Sequence, residues 1–206
     1  MKMPFFTSFI LLVLITQIAI RRTSYKIESK EADFWEKERK ANFTRRKPLD
    51  NLNYIKIPIE ALPFGALDDD ESRYCEKVIK SLADQKVVNL TGFTNTDLKL
   101  EYGAPNITEL TRYDQNYTTL VTNLQKWGKL LYDAKLYKEA TTVLEFATDT
   151  GTDVTGTYKL LTDLYQNKLE LSDSEKKEKI SALLPVAEEL RSLSKDQIKR
   201  LLTESL

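Results

Sequence analysis

The chain has 206 residues with 31 basic and 31 acidic side chains, so its formal net charge is zero. That balance excludes a general electrostatic attraction to nucleic acid. Histidine is absent and Cys75 is the lone cysteine, which removes the usual general base, an internal disulfide and a cysteine- or histidine-based zinc site. No cofactor, no metal and no enzymatic activity are expected, and Cys75 reads as a small core residue.

Pro4 to Ile20 is an apolar run without a charge, closed by Arg21-Arg22. As a helix it reaches roughly 25 Å at ~1.5 Å per residue. A hydrocarbon slab is about 30 Å thick, and Lys2, Arg21 and Arg22 can snorkel to its two interfaces. Thr7, Ser8, Thr16 and Gln17 do not form one polar stripe, which disfavours a soluble core helix. Gln17-Ile18-Ala19-Ile20 lacks the small-residue pattern of a signal cleavage site. Residues 1–22 therefore read as an uncleaved single-pass anchor in the lipid bilayer of the cell membrane. The excess of Arg and Lys after the run places the C-terminal part in the cytoplasm by the positive-inside rule, with the extracytoplasmic orientation as the alternative.

From Tyr25 to Thr44 charges alternate at helical spacing, and pairs such as Glu36 and Lys40 support an exposed helix. Residues 23–47 are expected to form a charged helical stalk whose apolar exceptions, Phe34 and Trp35, are candidate partner contacts. Arg45-Arg46-Lys47-Pro48 ends it, since proline disfavours helix at the preceding residue. Residues 48–67 then read as an extended strap with Ile55, Ile57 and Ile59 on one side. Pro58 cannot donate to a ladder, so a central strand is excluded and a single edge strand is the alternative.

Residues 68–206 read as a helical domain. Asp68-Asp69-Asp70-Glu71 is the acidic start of a helix and not a metal site. It precedes Tyr74, Cys75, Val78, Ile79 and Leu82 on one helical face. Gly92 and Gly103 interrupt the next stretch, where Thr96-Asp97 offers a helix start. Leu110, Tyr113, Tyr117, Leu120, Leu124, Trp127 and Leu131 then recur every three or four residues, giving a long helix from Thr108 to about Ala134. Further helices are expected at Tyr137–Thr148, Val154–Asn167, Ser174–Arg191 with a kink or break at Pro185, and a short one after Ser194. Their short connections imply antiparallel neighbours.

Two further motifs are read as structural. Asp149-Thr150-Gly151 spells the aspartic protease signature, but it occurs once and follows a helical pattern, where it caps helix ends. The Asn-x-Thr triplets at Asn42, Asn89, Asn106 and Asn116 would accept glycans only in a eukaryotic secretory lumen.

Trp127-Gly128, Tyr137, Ala140, Leu144 and Ala147 stand at spacings that resemble a tetratricopeptide repeat. The resemblance implies that Gly128 and Ala140 lie where two helices touch, and Ala147 where the next repeat arrives. A degenerate second unit would use Tyr158, Leu161 and Tyr165, then Ile180, Leu184 and Ala187. Lys135 departs from the small turn residue usual there, as Thr152 does from proline. The likeness spans about Thr118 to Arg191, and a plain antiparallel bundle gives the same spacing. The chain as a whole is similar to N-terminally anchored membrane proteins of low-GC Gram-positive bacteria.

The expectation is thus an all-α protein: a transmembrane helix, a stalk, a proline-containing strap and a tetratricopeptide-like stack of α-hairpins. Such stacks are docking architectures. The expected function is a membrane-tethered protein–protein interaction or scaffold module without catalytic activity. It would contact a protein or peptide through exposed Tyr132, Tyr158 and Tyr165. The alternative is an envelope structural or assembly factor, a homo-oligomer self-associating through Phe34 and Trp35.

Overall fold

The computed structural model describes the backbone of residues 4–206 and the side chains of residues 8–23 and 30–206. Lys2, expected at a membrane interface, lies outside the described residues. Among these, the regular elements are helical: α1 (Pro4–Asn42), α2 (Asp70–Leu82), α3 (Asn95–Tyr102), α4 (Ile107–Asp133), α5 (Tyr137–Asp149), α6 (Thr155–Asp163), α7 (Asp173–Glu189) and α8 (Lys195–Glu204). A 3-10 turn spans Ala104–Asn106, and a π-helical turn at Leu164–Lys168 closes α6. The chain divides into two compact units. One holds the residues up to Pro48 with Thr94–Ile107, the other Leu49–Phe93 with Thr108–Leu206. This differs from the expected division, in which all of 68–206 belonged together. Residues 94–107 leave that set and join the stalk.

In the first unit α1 runs without a break, since the sequence places no glycine or proline between Phe5 and Lys47 and Glu36 pairs with Lys40 at 2.9 Å one turn on. Short α3 begins at Thr94, whose hydroxyl accepts from the Asp97 amide while the Asp97 carboxylate accepts from the Thr94 amide. Asp97 is thus the third helical residue, and the start lies before the expected Thr96. Helix α3 clasps the end of α1 by polar bonds. Lys37 Nζ meets Asp97 Oδ1 at 2.7 Å, Glu38 accepts from Thr96 and Lys99, and Lys99 Nζ donates to Asn42 Oδ1 at 2.7 Å. Buried Asn106 ties the following loop, donating to the carbonyls of Lys47 (2.7 Å) and Tyr102 (2.8 Å) and accepting from Arg46 Nε (2.8 Å). Gly103 adopts φ +94°, and a Cβ there would strike the Arg45 carbonyl. Only glycine combines that dihedral with that approach.

In the second unit Trp127, Leu131, Leu144, Tyr158, Leu161, Leu164 and Ile180 are fully or almost fully buried. The strap covers one side of this core. Ile55 and Ile57 are half-buried against it, Leu62 is buried, and Phe64 stacks on Trp127 with centroids 5.1 Å apart. Its strand-like pairing among the described residues is an isolated bridge between Tyr54 and Val88, so the edge-strand alternative does not hold. The proline-flanked residues 58–62 turn instead, with the Ala61 and Leu62 amides donating to the Pro58 carbonyl. Asp69 caps α2, accepting from the Glu71 and Ser72 amides. The apolar face of α2 is formed by Cys75, Ile79 and Leu82, while Tyr74 is exposed.

The seven apolar residues expected to line α4, from Leu110 to Leu131, are all buried. Helix α4 ends in a Schellman turn: the Leu136 amide reaches the Leu131 carbonyl and the Lys135 amide the Tyr132 carbonyl, both at 2.9 Å. Lys135 takes the left-handed φ of +64° that this turn requires. The chain reverses there into α5. Gly128 faces Leu144 so closely that a Cβ would lie 2.5 Å from Leu144 Cδ2. The two residues stand symmetrically about Leu136, the contact pattern of an antiparallel hairpin.

The α5–α6 turn, where the protease-like triplet lies, is held by its carbonyls. Tyr117 Oη donates to the Gly151 carbonyl (3.0 Å), Asn89 Nδ2 donates to the same carbonyl (3.1 Å) and to Tyr117 Oη (2.9 Å), and Tyr158 Oη donates to Thr152 (2.9 Å). The amides of Asn89 and Asn106 are both committed to the fold, so their triplets serve structure. The helix expected over Val154–Asn167 runs from Thr155 to Lys168, α-helical to Asp163 and π-helical beyond it. After this turn one expected alternative fails, the break at Pro185. Helix α7 runs through Pro185 without interruption. Pro185 and Ser181, whose carbonyl loses its usual donor, both face solvent, where water can supply that bond.

Candidate functional site

Three surface features answer to the sequence candidates. The first is the apolar run of α1. From Phe9 to Ile20 its large apolar side chains are 37–65 % exposed on every side of the helix, and Arg21 and Arg22 close it, also exposed. Within the described residues no helix is long and apolar enough to cross a membrane. Pro4 to Thr7, which begin the run, lie outside the described side chains.

The second is the pair Phe34 and Trp35 on the same helix. Their rings meet edge to face with centroids 5.3 Å apart, and both are exposed, Trp35 at 65 %. Arg45, Arg46 and Lys47, which end the stalk, belong to the loop held by Asn106. Lys47 Nζ donates to the Leu100 carbonyl at 3.1 Å.

The third lies on the second unit, where the α4–α5 turn meets the π-helical turn. Tyr132 and Tyr137 flank the Schellman turn with centroids 5.7 Å apart and rings inclined by 60°. Tyr132 Oη donates to Asp163 Oδ2, and Asn167 Nδ2 donates to Asp163 Oδ1 at 2.8 Å. Lys168 Nζ sits 5.9 Å from the centroid of each ring, within cation–π range. The bond to Asp163, with burial adding to it, pushes the Tyr132 phenol up to about 12. Burial raises the Asp163 carboxyl, but the bonds from Tyr132 and Asn167 outweigh it and hold that group below its ordinary range. The cluster is half-exposed and amphipathic: two ring faces, a held carboxylate and an ammonium.

Tyr158 and Tyr165 are corrections. Both are buried, because they sit on the apolar face of α6 and its π-helical turn, which pack against α5, α7 and α8. Each phenol is spent internally, Tyr158 on the Thr152 carbonyl and Tyr165 on Glu145 Oε1 at 2.7 Å. Burial pushes the Tyr158 phenol up to about 12 and raises that of Tyr165 as well. Neither can meet a partner. Of the three expected tyrosines only Tyr132 is at the surface. Its companions Tyr137, Asp163 and Lys168 were not expected there. Tyr137 could have been found from the short turn that brings a helix end beside a helix start, but no local signal joins Tyr132 to Asp163. Comparison with known proteins returns no family model, no curated protein and no solved structure that matches the chain.

Proposed function

We propose that the chain is a membrane-tethered interaction module, non-catalytic, in which α1 enters the bilayer and the helical stack presents a docking surface. The observation that carries this reading is the exposed apolar run from Phe9 to Ile20. A helix that docks in a protein groove needs one apolar face, whereas this one is apolar all round, which suits lipid. A large apolar side chain gains about 1.5–3 kcal/mol on full burial, so transfer of the run from water is worth on the order of 10 kcal/mol. Arg21 and Arg22 would lie at the headgroups, and the positive-inside rule puts the stack in the cytoplasm. Protease treatment of spheroplasts checks that orientation: the stack survives until the membrane is opened, and digestion from outside reverses it.

On the stack, the reading assigns partner contact to Tyr132 and Tyr137. The close approach at Gly128 and the burial of Ala140 and Ala147 support a tetratricopeptide-like hairpin beneath them. Pull-down from detergent extracts tests the assignment. Tyr132→Ala with Tyr137→Ala should lose partner recovery, while Tyr165→Phe keeps it. Equal recovery by all three forms removes the patch. The exposed Phe34–Trp35 pair favours a second reading, an envelope assembly factor that self-associates through its stalk. Crosslinked oligomers that vanish on Phe34→Ala with Trp35→Ala would support it.

A further inference from the structure

Thr16 and Gln17 are the polar side chains between Phe9 and Ile20, and the helix treats them differently. Thr16 donates its hydroxyl back to the carbonyls of Leu12 (3.0 Å) and Val13 (2.9 Å), and Thr23 does so to Ala19 (2.9 Å). Both hydroxyls are thereby satisfied within their own helix. Gln17 has no side-chain hydrogen bond among the described residues. Its exposed amide offers two donors and an acceptor on an otherwise apolar cylinder. In hydrocarbon no water can take them. An amide is self-complementary, so a second copy of the same helix supplies the missing partner without any new chemistry.

A second observation lies on the same line. Gln17 and Trp35 are about five helical turns apart, a whole number at 3.6 residues per turn, so they share one azimuth of α1. Trp35 is exposed there, ~27 Å further along the helix. One stripe thus carries an unmet amide within the apolar run and an uncovered aromatic beyond it. Ile10, Val13, Leu14 and Ile20 flank Gln17 on that side at helical spacing.

We infer that α1 pairs in parallel with α1 of a second copy of this chain along the line from Gln17 to Trp35. The Gln17 amides hydrogen-bond to each other in the bilayer, and the Trp35 rings meet outside it. Parallel pairing follows because two copies anchored alike share one direction. The inference rests on the membrane reading, and it extends the line of association from the stalk into the anchor.

The test uses the full chain in phosphatidylcholine–phosphatidylglycerol vesicles, labelled with donor and acceptor dyes and diluted with lipid, after flotation has established that each form is vesicle-bound. The wild type should show energy transfer that falls on dilution as a dimer dissociates. Gln17→Leu, which keeps the apolar run intact, should raise the dissociation constant roughly tenfold, as expected for loss of an interhelical polar contact in lipid. Gln17→Asn should restore most of the association, and Trp35→Ala should weaken it. Equal transfer for wild type and Gln17→Leu, or none for vesicle-bound wild type, overturns the inference and leaves the tether standing. A wild type that does not float removes the tether and the inference together.

Discussion

Lys135 holds a conformation that its side chain disfavours. It occupies the left-handed position of the Schellman turn after α4, where a Cβ costs about 1 kcal/mol or more. Lys135→Gly should therefore stabilise the chain by about 0.5–1 kcal/mol after glycine's greater freedom in the unfolded state is offset. Urea denaturation should show a higher midpoint, and an unchanged or lower one would mean that the turn is not left-handed. Tyr158 tests the opposite case. Its hydroxyl satisfies the Thr152 carbonyl beside a fully buried Thr152 side chain. Tyr158→Phe leaves that carbonyl unmet and should cost about 1–3 kcal/mol without affecting partner recovery, as measured by the same denaturation and by pull-down.

Helix pairing supplies the next level of prediction. Gly128 lets α4 approach Leu144 of α5, so Gly128→Ala should cost about 1–3 kcal/mol by overpacking. Adding Leu144→Ala should cost less in that background than in the wild type, a coupling that a double-mutant cycle measures. Additive costs would separate the two helices. The clasp between α3 and α1 responds to pH. Asp97 is held down at about 2, chiefly by the Lys37 bond and then by Thr94, and Glu38 is lowered chiefly by Lys99 and then by Thr96. Groups lowered on folding contribute stability above their ordinary pKa and lose it as pH falls through the folded value. The clasp should be complete at pH 5 and weaken below about pH 4. Carboxyl NMR titration of Asp97 checks this: a midpoint near 2 is expected, and one near 3.8 would mean that Lys37 and Asp97 do not pair.

At the same scale the sequence was readable where periodicity is local. The face from Leu110 to Leu131 and the acidic cap of α2 follow from spacing alone. Which tyrosines reach the surface did not follow. Tyr132 and Tyr158 look alike in sequence, but coverage of α6 is set by α5 and α8, which the local pattern does not reveal. The same limit hid the pairing of 94–107 with the stalk, since Asp97 and Lys99 find their partners at Lys37 and Glu38, far back in the chain. Pro185 does not break α7, an outcome that depends on whether the freed carbonyl of Ser181 can reach water.

For the whole molecule, what matters is the exposed apolar run of α1, which no described element of the chain covers. Every functional assignment depends on it: the orientation, the docking surface held near a bilayer, and the pairing through Gln17. Flotation of the full-length chain with phosphatidylcholine–phosphatidylglycerol vesicles, followed by an alkaline carbonate wash, tests it most directly. An integral tether floats with the vesicles and stays with them through the wash. A chain that remains at the bottom of the gradient, or that the wash releases, contradicts the membrane tether.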